Sequence, residues 1–136
     1  MEKKYTELLR QAELAAKNSY SPYSHFPVGA AILTADGAVY TGANVENRSY
    51  GLTNCAERTA AFKAVSEGHL SFAAVAIATP KADYPVGPCG ACRQVLTEFA
   101  GNDVPVIFGS AEENVQVHTL GELYPCDSLH ELASEK

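Results

Sequence analysis

The sequence predicts an α/β protein, a three-layer α/β/α sandwich around a mixed five-stranded sheet. Three observations lead there. Helical windows and short apolar strands interleave in the order helix, two strands, helix, strand, helix, two strands, helix. A strand, the helix carrying Cys92 and a further strand follow one another, which implies parallel pairing across that helix. The chain has 136 residues, 46% of them apolar, which suits one compact domain over 1–136 with a real core.

The elements read as follows. From Lys4 to Asn18, Leu8, Leu9, Ala12, Ala15 and Ala16 recur at helical spacing, the pattern of an amphipathic helix. Ser21-Pro22-Tyr23-Ser24 is a loop. Val28 to Thr34 and Ala38 to Thr41 flank Ala35-Asp36-Gly37, a hairpin signal. The polar stretch from Asn44 to Asn54, with Gly51 inside it, is a loop leading to Cys55. Ala56 to Val65 is rich in helix formers, and Gly68 lies just past its end. Ala73 to Ala78 is short and apolar, a buried strand. Pro80 to Pro88 holds three prolines and is loop. Cys92 begins a helix through Ala100, stopped at Gly101. Val104 to Phe108 and Val115 to Thr119 are strands, Leu120 to Tyr124 is a short helix, and the tail after Ser128 is loose.

The net charge of −6, with no basic block, argues against a nucleic-acid surface, which needs Lys and Arg to meet phosphates. No run is long and apolar enough to cross a membrane. Met1-Glu2-Lys3-Lys4-Tyr5 leads into a charged amphipathic stretch rather than a signal peptide. Reduced thiols without an export signal point to the cytoplasm.

The chemistry concentrates in Cys55-Ala56-Glu57 and Pro88-Cys89-Gly90-Ala91-Cys92. Three thiolates suit zinc and leave a fourth tetrahedral position for water. A carboxylate beside such a site is the minimal equipment for metal-assisted hydrolysis. The three cysteines fall at or near predicted helix N-termini, where the helix dipole favours thiolate. Cys89-x-x-Cys92 alone would equally suit a redox pair or half of a structural zinc site. Cys55 and its neighbouring Glu57 shift the reading toward a metal. A competing design is a non-catalytic module whose zinc is closed by Cys126 as fourth ligand. Glu57 separates the two, since a structural site has no use for it. His25, His69, His118 and His130 share no ligand spacing.

These segments resemble the small zinc-dependent cytidine deaminases, over most of the chain. Tyr20-Ser21-Pro22-Tyr23-Ser24-His25-Phe26-Pro27-Val28-Gly29-Ala30-Ala31 is similar to the family's first signature, and Asn44-Val45-Glu46-Asn47 to its ribose-binding segment. Cys55-Ala56-Glu57-Arg58-Thr59-Ala60 and Pro88-Cys89-Gly90-Ala91-Cys92-Arg93-Gln94 resemble its zinc segments. The resemblance implies one Zn²⁺ per chain on Cys55, Cys89 and Cys92. It implies a proton shuttle at Glu57 and base and ribose contacts from Phe26, Asn44 and Glu46. It also implies a hydrogen bond to the pyrimidine carbonyl from the Ala56 amide, and a cation beside the thiolates in Arg58. The implied reaction is hydrolytic deamination of cytidine and deoxycytidine in pyrimidine salvage, by a homotetramer with composite active sites. A related aminopyrimidine nucleoside is the alternative substrate.

Taken singly, these residues have plainer readings. Phe26 could be a core or loop anchor, Asn44 a turn residue and Glu46 a solvated loop charge. Glu57 could be a first-turn acid, Arg58 a solvated helix charge and Cys126 a partly buried free thiol. The chain also departs from the family near its C-terminus. Tyr124-Pro125-Cys126-Asp127-Ser128-Leu129 places Ser128 where the resemblance leads one to expect an aromatic ring reaching a neighbouring subunit. Tyr124 and Leu129 are the local candidates to replace it.

Overall fold

The computed structural model describes residues 1–110 and 114–133. Helix α1 spans Lys3–Ala16, strands β1 and β2 span Gly29–Thr34 and Val39–Ala43, and α2 spans Ala56–Ser66. Then come β3 (Phe72–Ala78), α3 (Gly90–Thr97), β4 (Pro105–Gly109), β5 (Gln116–Thr119), α4 (Leu120–Leu123) and α5 (His130–Ala133). The strands form one sheet in the order β2-β1-β3-β4-β5. β3 and β4 pair in parallel, as the intervening helix predicted, and the other neighbours are antiparallel. Because β1 opposes both its neighbours, β2 and β3 also run the same way across α2.

Alternation along the strands sorts the core onto two faces. Ala31 of β1, Ala74, Ala76 and Ala78 of β3 and Ile107 of β4 pack with Leu8, Leu9 and Ala12 of α1. Ala30 and Ile32, Val75 and Ile77, Val106 and Phe108 point the other way. They bury Ala56, Ala60, Ala61 and Ala64 of α2, Leu96 of α3 and Leu120 of α4. The three layers follow from that division.

The small residues let the layers approach closely. A Cβ on Gly29 would overlap the Ala12 carbonyl of α1. A Cβ on Gly42 would stand 2.6 Å from the Ala60 nitrogen and 2.8 Å from the Ala56 oxygen. Glycine at 42 therefore seats the first turns of α2 directly on β2.

The structure adjusts several expected boundaries. α3 starts at Gly90 rather than at Cys92 and ends at Thr97 rather than Ala100. The polar loop after β2 contains one 3₁₀ turn, Tyr50–Leu52. Within the tail expected to be loose, His130–Ala133 form α5, four residues of helix, and residues 134–136 lie outside the described residues. α4 begins with a capping box in which the Thr119 hydroxyl accepts from the Glu122 amide and Glu122 reaches back to the Thr119 amide.

Candidate metal centre and active site

The two site helices begin alike. Cys55 caps α2 in extended conformation, with φ −74° and ψ 155°, and Cys89 caps α3 with φ −67° and ψ 167°. The amides of a helix's first turn have no intrahelical acceptor, so both thiols sit at a positive helix end. Cys92 lies in the first turn of α3 and is fully buried. The Sγ atoms of Cys55, Cys89 and Cys92 all lie within 4.8 Å of one another.

That grouping fits zinc. Two sulfurs on a tetrahedral zinc at the usual bond length of about 2.3 Å stand about 3.8 Å apart. Cys55 Sγ and Cys89 Sγ are 3.8 Å apart. Among the described residues this trio is the one His, Cys, Asp or Glu group that could hold a metal ion. Cys126 does not join it. It is exposed, adopts φ 58°, and lines a separate cavity with Tyr124, Pro125 and Asp127.

The trio's electrostatics favour cation binding. The Cys55 thiol is acidified to about 5, first by its hydrogen bond with Cys92 and then by Arg58. Arg58 Nη2 donates to Cys55 Sγ at 3.0 Å. Cys92 is pushed the other way, because Cys55 holds its proton, it is buried, and Glu57 lies close. A divalent cation replaces such shared protons.

Glu57 follows in the first turn of α2 and is only 5% exposed. Burial raises its carboxyl to about 7, with the Cys55 charge adding to the rise and its own backbone amide opposing it. Glu57, Cys55, Cys89 and Ala56 line a cavity of about 180 Å³ with Asn44, Thr79 and Gly87. Arg93 braces the wall of this cavity, donating from Nε to the Pro88 carbonyl at 2.7 Å and from Nη1 to the Leu123 carbonyl at 2.6 Å.

The other sequence-predicted residues divide. Asn44 reaches the cavity, and its amide also ties the preceding loop in place. Its Oδ1 accepts from the Val28 amide at 2.9 Å and its Nδ2 donates to the Phe26 carbonyl at 2.9 Å. Glu46 lines an adjoining pocket with Tyr23, Ser24, Tyr50 and Thr53. Its carboxylate accepts from the Tyr23 and Ser24 amides at 3.0 and 3.1 Å and from the Ser24 hydroxyl. Phe26 is half-buried on that loop and is not among the residues lining either cavity. Tyr124 is engaged within its own chain, donating from its hydroxyl to Gln94 Oε1 at 2.6 Å.

Sequence reasoning missed Thr79 and the bracing by Arg93. A threonine between an apolar strand and a proline reads only as the start of a loop. An arginine after Cys92 reads as helix surface.

Residues 2–108 match the family described as the cytidine and deoxycytidylate deaminase zinc-binding region. The chain belongs to this deaminase family. A cytidine deaminase of Halalkalibacterium halodurans is 51% identical over 118 residues, covering 87% of this chain and 89% of its own. A cytidine deaminase of Sporosarcina psychrophila is 47% identical over 119 residues, covering 88% of this chain and 87% of its own. Among solved structures, the cytidine deaminase of Burkholderia pseudomallei superposes with a TM-score of 0.85 at 44% identity. That alignment covers 90% of this chain and 97% of the other. The deaminase fold and the zinc-binding character of the site therefore agree with the geometry.

Proposed function

We propose that this protein hydrolyses cytidine and 2′-deoxycytidine to uridine and 2′-deoxyuridine with release of ammonia, in a zinc-dependent reaction of pyrimidine salvage. The observation that carries the reading is the trio of Sγ atoms within 4.8 Å, with buried Glu57 sharing its cavity. The match to the deaminase family supports it.

Cys55, Cys89 and Cys92 would hold the zinc. When bound, the ion supplies a Lewis acid that makes water an effective nucleophile at neutral pH. Glu57 accepts a proton from that water and delivers it to the pyrimidine N3. Water's oxygen adds to C4; Glu57 then takes the second proton, from the new C4 hydroxyl, and passes it to the amine, so that the C4–N4 bond breaks, ammonia leaves and a C4 carbonyl remains. One carboxylate serves both steps because its protonation alternates. The Ala56 amide, free at the helix start, donates to the pyrimidine carbonyl. Arg58 offsets the thiolate charge that would otherwise weaken the ion's pull on electrons. Asn44, Glu46 and Phe26 position base and ribose, the first directly and the others through the loop that Asn44 and Glu46 anchor.

We assign the working form to a cytoplasmic homotetramer with composite sites. Tyr50 and Leu52 are 74% and 73% exposed beside the Glu46 pocket, which suits burial by another copy. Light scattering on the eluting protein checks the assembly, with a monomer contradicting it. The activity is checked by loss of cytidine ultraviolet absorbance with purified protein. Turnover abolished by a chelator and restored by zinc is expected. Absent turnover by zinc-loaded protein would overturn the reading.

A further inference from the structure

The chain just past α1 runs beside the segment that leaves β2. Tyr20 and Val45 form a parallel bridge. The Tyr20 amide donates to the Asn44 carbonyl at 3.0 Å, and the Glu46 amide donates to the Tyr20 carbonyl at 2.8 Å. This backbone pairing sets Ser19 next to Asn44, and the Ser19 hydroxyl donates to Asn44 Oδ1 at 2.5 Å. The same Oδ1 accepts from the Val28 amide and Nδ2 donates to the Phe26 carbonyl, so two backbone partners fix which end of the side-chain amide is oxygen. Ser19 Oγ also lies 3.1 Å from Ser21 Oγ. A hydroxyl has one proton, and that of Ser19 goes to Asn44, so Ser21 donates to Ser19.

An asparagine side chain has two acceptor lone pairs and two N–H donors. Ser19 and Val28 occupy both lone pairs of Asn44, and Phe26 takes one N–H. The other N–H has no partner among the described residues, on a side chain that is 8% exposed and lines the cavity of Glu57. Asn44 therefore meets a ligand there only as a donor. On the reading proposed above, which this inference rests on, the matching acceptor is a hydroxyl oxygen of the nucleoside's sugar. Ser19 itself is not among the residues lining this cavity or the Glu46 pocket. Without its hydroxyl, Oδ1 would regain a lone pair and the amide would rest on two bonds instead of three. We infer that Ser19 is a positioning residue, whose hydroxyl locks the Asn44 amide as a donor to a ring hydroxyl of the sugar and so sets how tightly the sugar is held.

The test uses zinc-loaded parent, Ser19→Ala and Ser19→Thr. Cytidine is followed by KM and kcat. 2′,3′-Dideoxycytidine, the same nucleoside without the ring hydroxyls, is followed by its inhibition constant against cytidine turnover. For Ser19→Ala, cytidine KM should rise about three- to tenfold, the range that one neutral hydrogen bond supplies. Its kcat should stay near that of the parent, as expected for lost binding shared by ground state and transition state. The inhibition constant of the dideoxy nucleoside should not change, because the group that Asn44 serves is missing from it. Zinc content and melting temperature should hold, since the pairing that seats residue 19 uses backbone atoms alone. Ser19→Thr keeps a hydroxyl and should recover most of the loss. Ser19→Gly, which also lacks it, carries the test if the alanine variant does not fold. A cytidine KM for Ser19→Ala within about twofold of the parent would overturn the inference. An equal loss toward both nucleosides would also overturn it, since that marks a displaced loop rather than a loosened amide. A zinc-loaded parent that leaves cytidine untouched would instead remove the functional reading itself, and this inference with it.

Discussion

Replacing any one of the clustered thiols should cost the protein its zinc. Cys55→Ala, Cys89→Ala and Cys92→Ala should each fall from about one zinc per chain to near none, because two sulfurs make a poor site for the ion. Metal analysis after dialysis decides this, and zinc retained by all three would contradict the assignment. Cys126→Ser should keep both zinc and activity, since Cys126 lines another cavity. Glu46 offers a test by pH. The Ser24 hydroxyl, helped by the Ser24 and Tyr23 amides, holds its carboxyl below the ordinary value of 4.5. A lowered folded pKa means the tether is complete above the ordinary value and is lost as pH falls through the lowered one. The protection of the Tyr23 and Ser24 amides from hydrogen exchange, relative to the intrinsic rate at each pH, should hold down to about pH 4.5 and fall below it. Protection that does not change across that range, or a Glu46→Gln variant with the same profile, would sink this account. Cys55, Glu57, Cys89 and Cys92 were legible in the sequence because their chemistry depends on residue type and short spacing. The Glu46–Ser24 and Ser19–Asn44 contacts were not, because both depend on how distant loops and strand ends come together.

At the scale of elements, α2 and α3 carry the site and the sheet sets where they begin. Both begin directly after a cysteine, Cys55 and Cys89, and the sequence showed α2 to within a residue of its observed end. The start of α3 was harder to see. The sequence has the helix begin at Cys92, yet it begins at Gly90, so Cys92 lies within its first turn rather than at its start. The helix at His130–Ala133 was missed for a related reason: four residues carry too little periodicity to separate helix from coil. Gly42 tests the seating of α2. In Gly42→Ala the new methyl meets backbone atoms at 2.6 and 2.8 Å, so α2 must shift or the strand must bend. Such overpacking typically costs about 1–3 kcal/mol. Urea denaturation should show that loss together with weaker zinc retention, since Cys55 heads the same helix. An unchanged midpoint and unchanged zinc would show that the close approach does not matter.

At the scale of the molecule, the sheet orders everything else. Its alternating alanines, valines and isoleucines were readable as apolar strands, and the same alternation assigns α1 to one face and α2, α3 and α4 to the other. The parallel pair β3 and β4 has its carboxyl ends at Ala78 and Gly109, and Thr79 continues from the first of them into the cavity wall. Ligand sites in α/β sheets gather at such ends. What the sequence could not supply was the convergence of this strand end with two helix starts and the loop braced by Arg93. The central claim is that this convergence makes Glu57 the proton carrier of a zinc-dependent cytidine deaminase. It is tested most directly by cytidine turnover in Glu57→Gln at matched zinc content, where the amide keeps the shape of the side chain but cannot carry the proton. The account predicts full zinc, an unchanged fold and a rate lower by at least about 10²–10⁴-fold; turnover near that of the parent would contradict it.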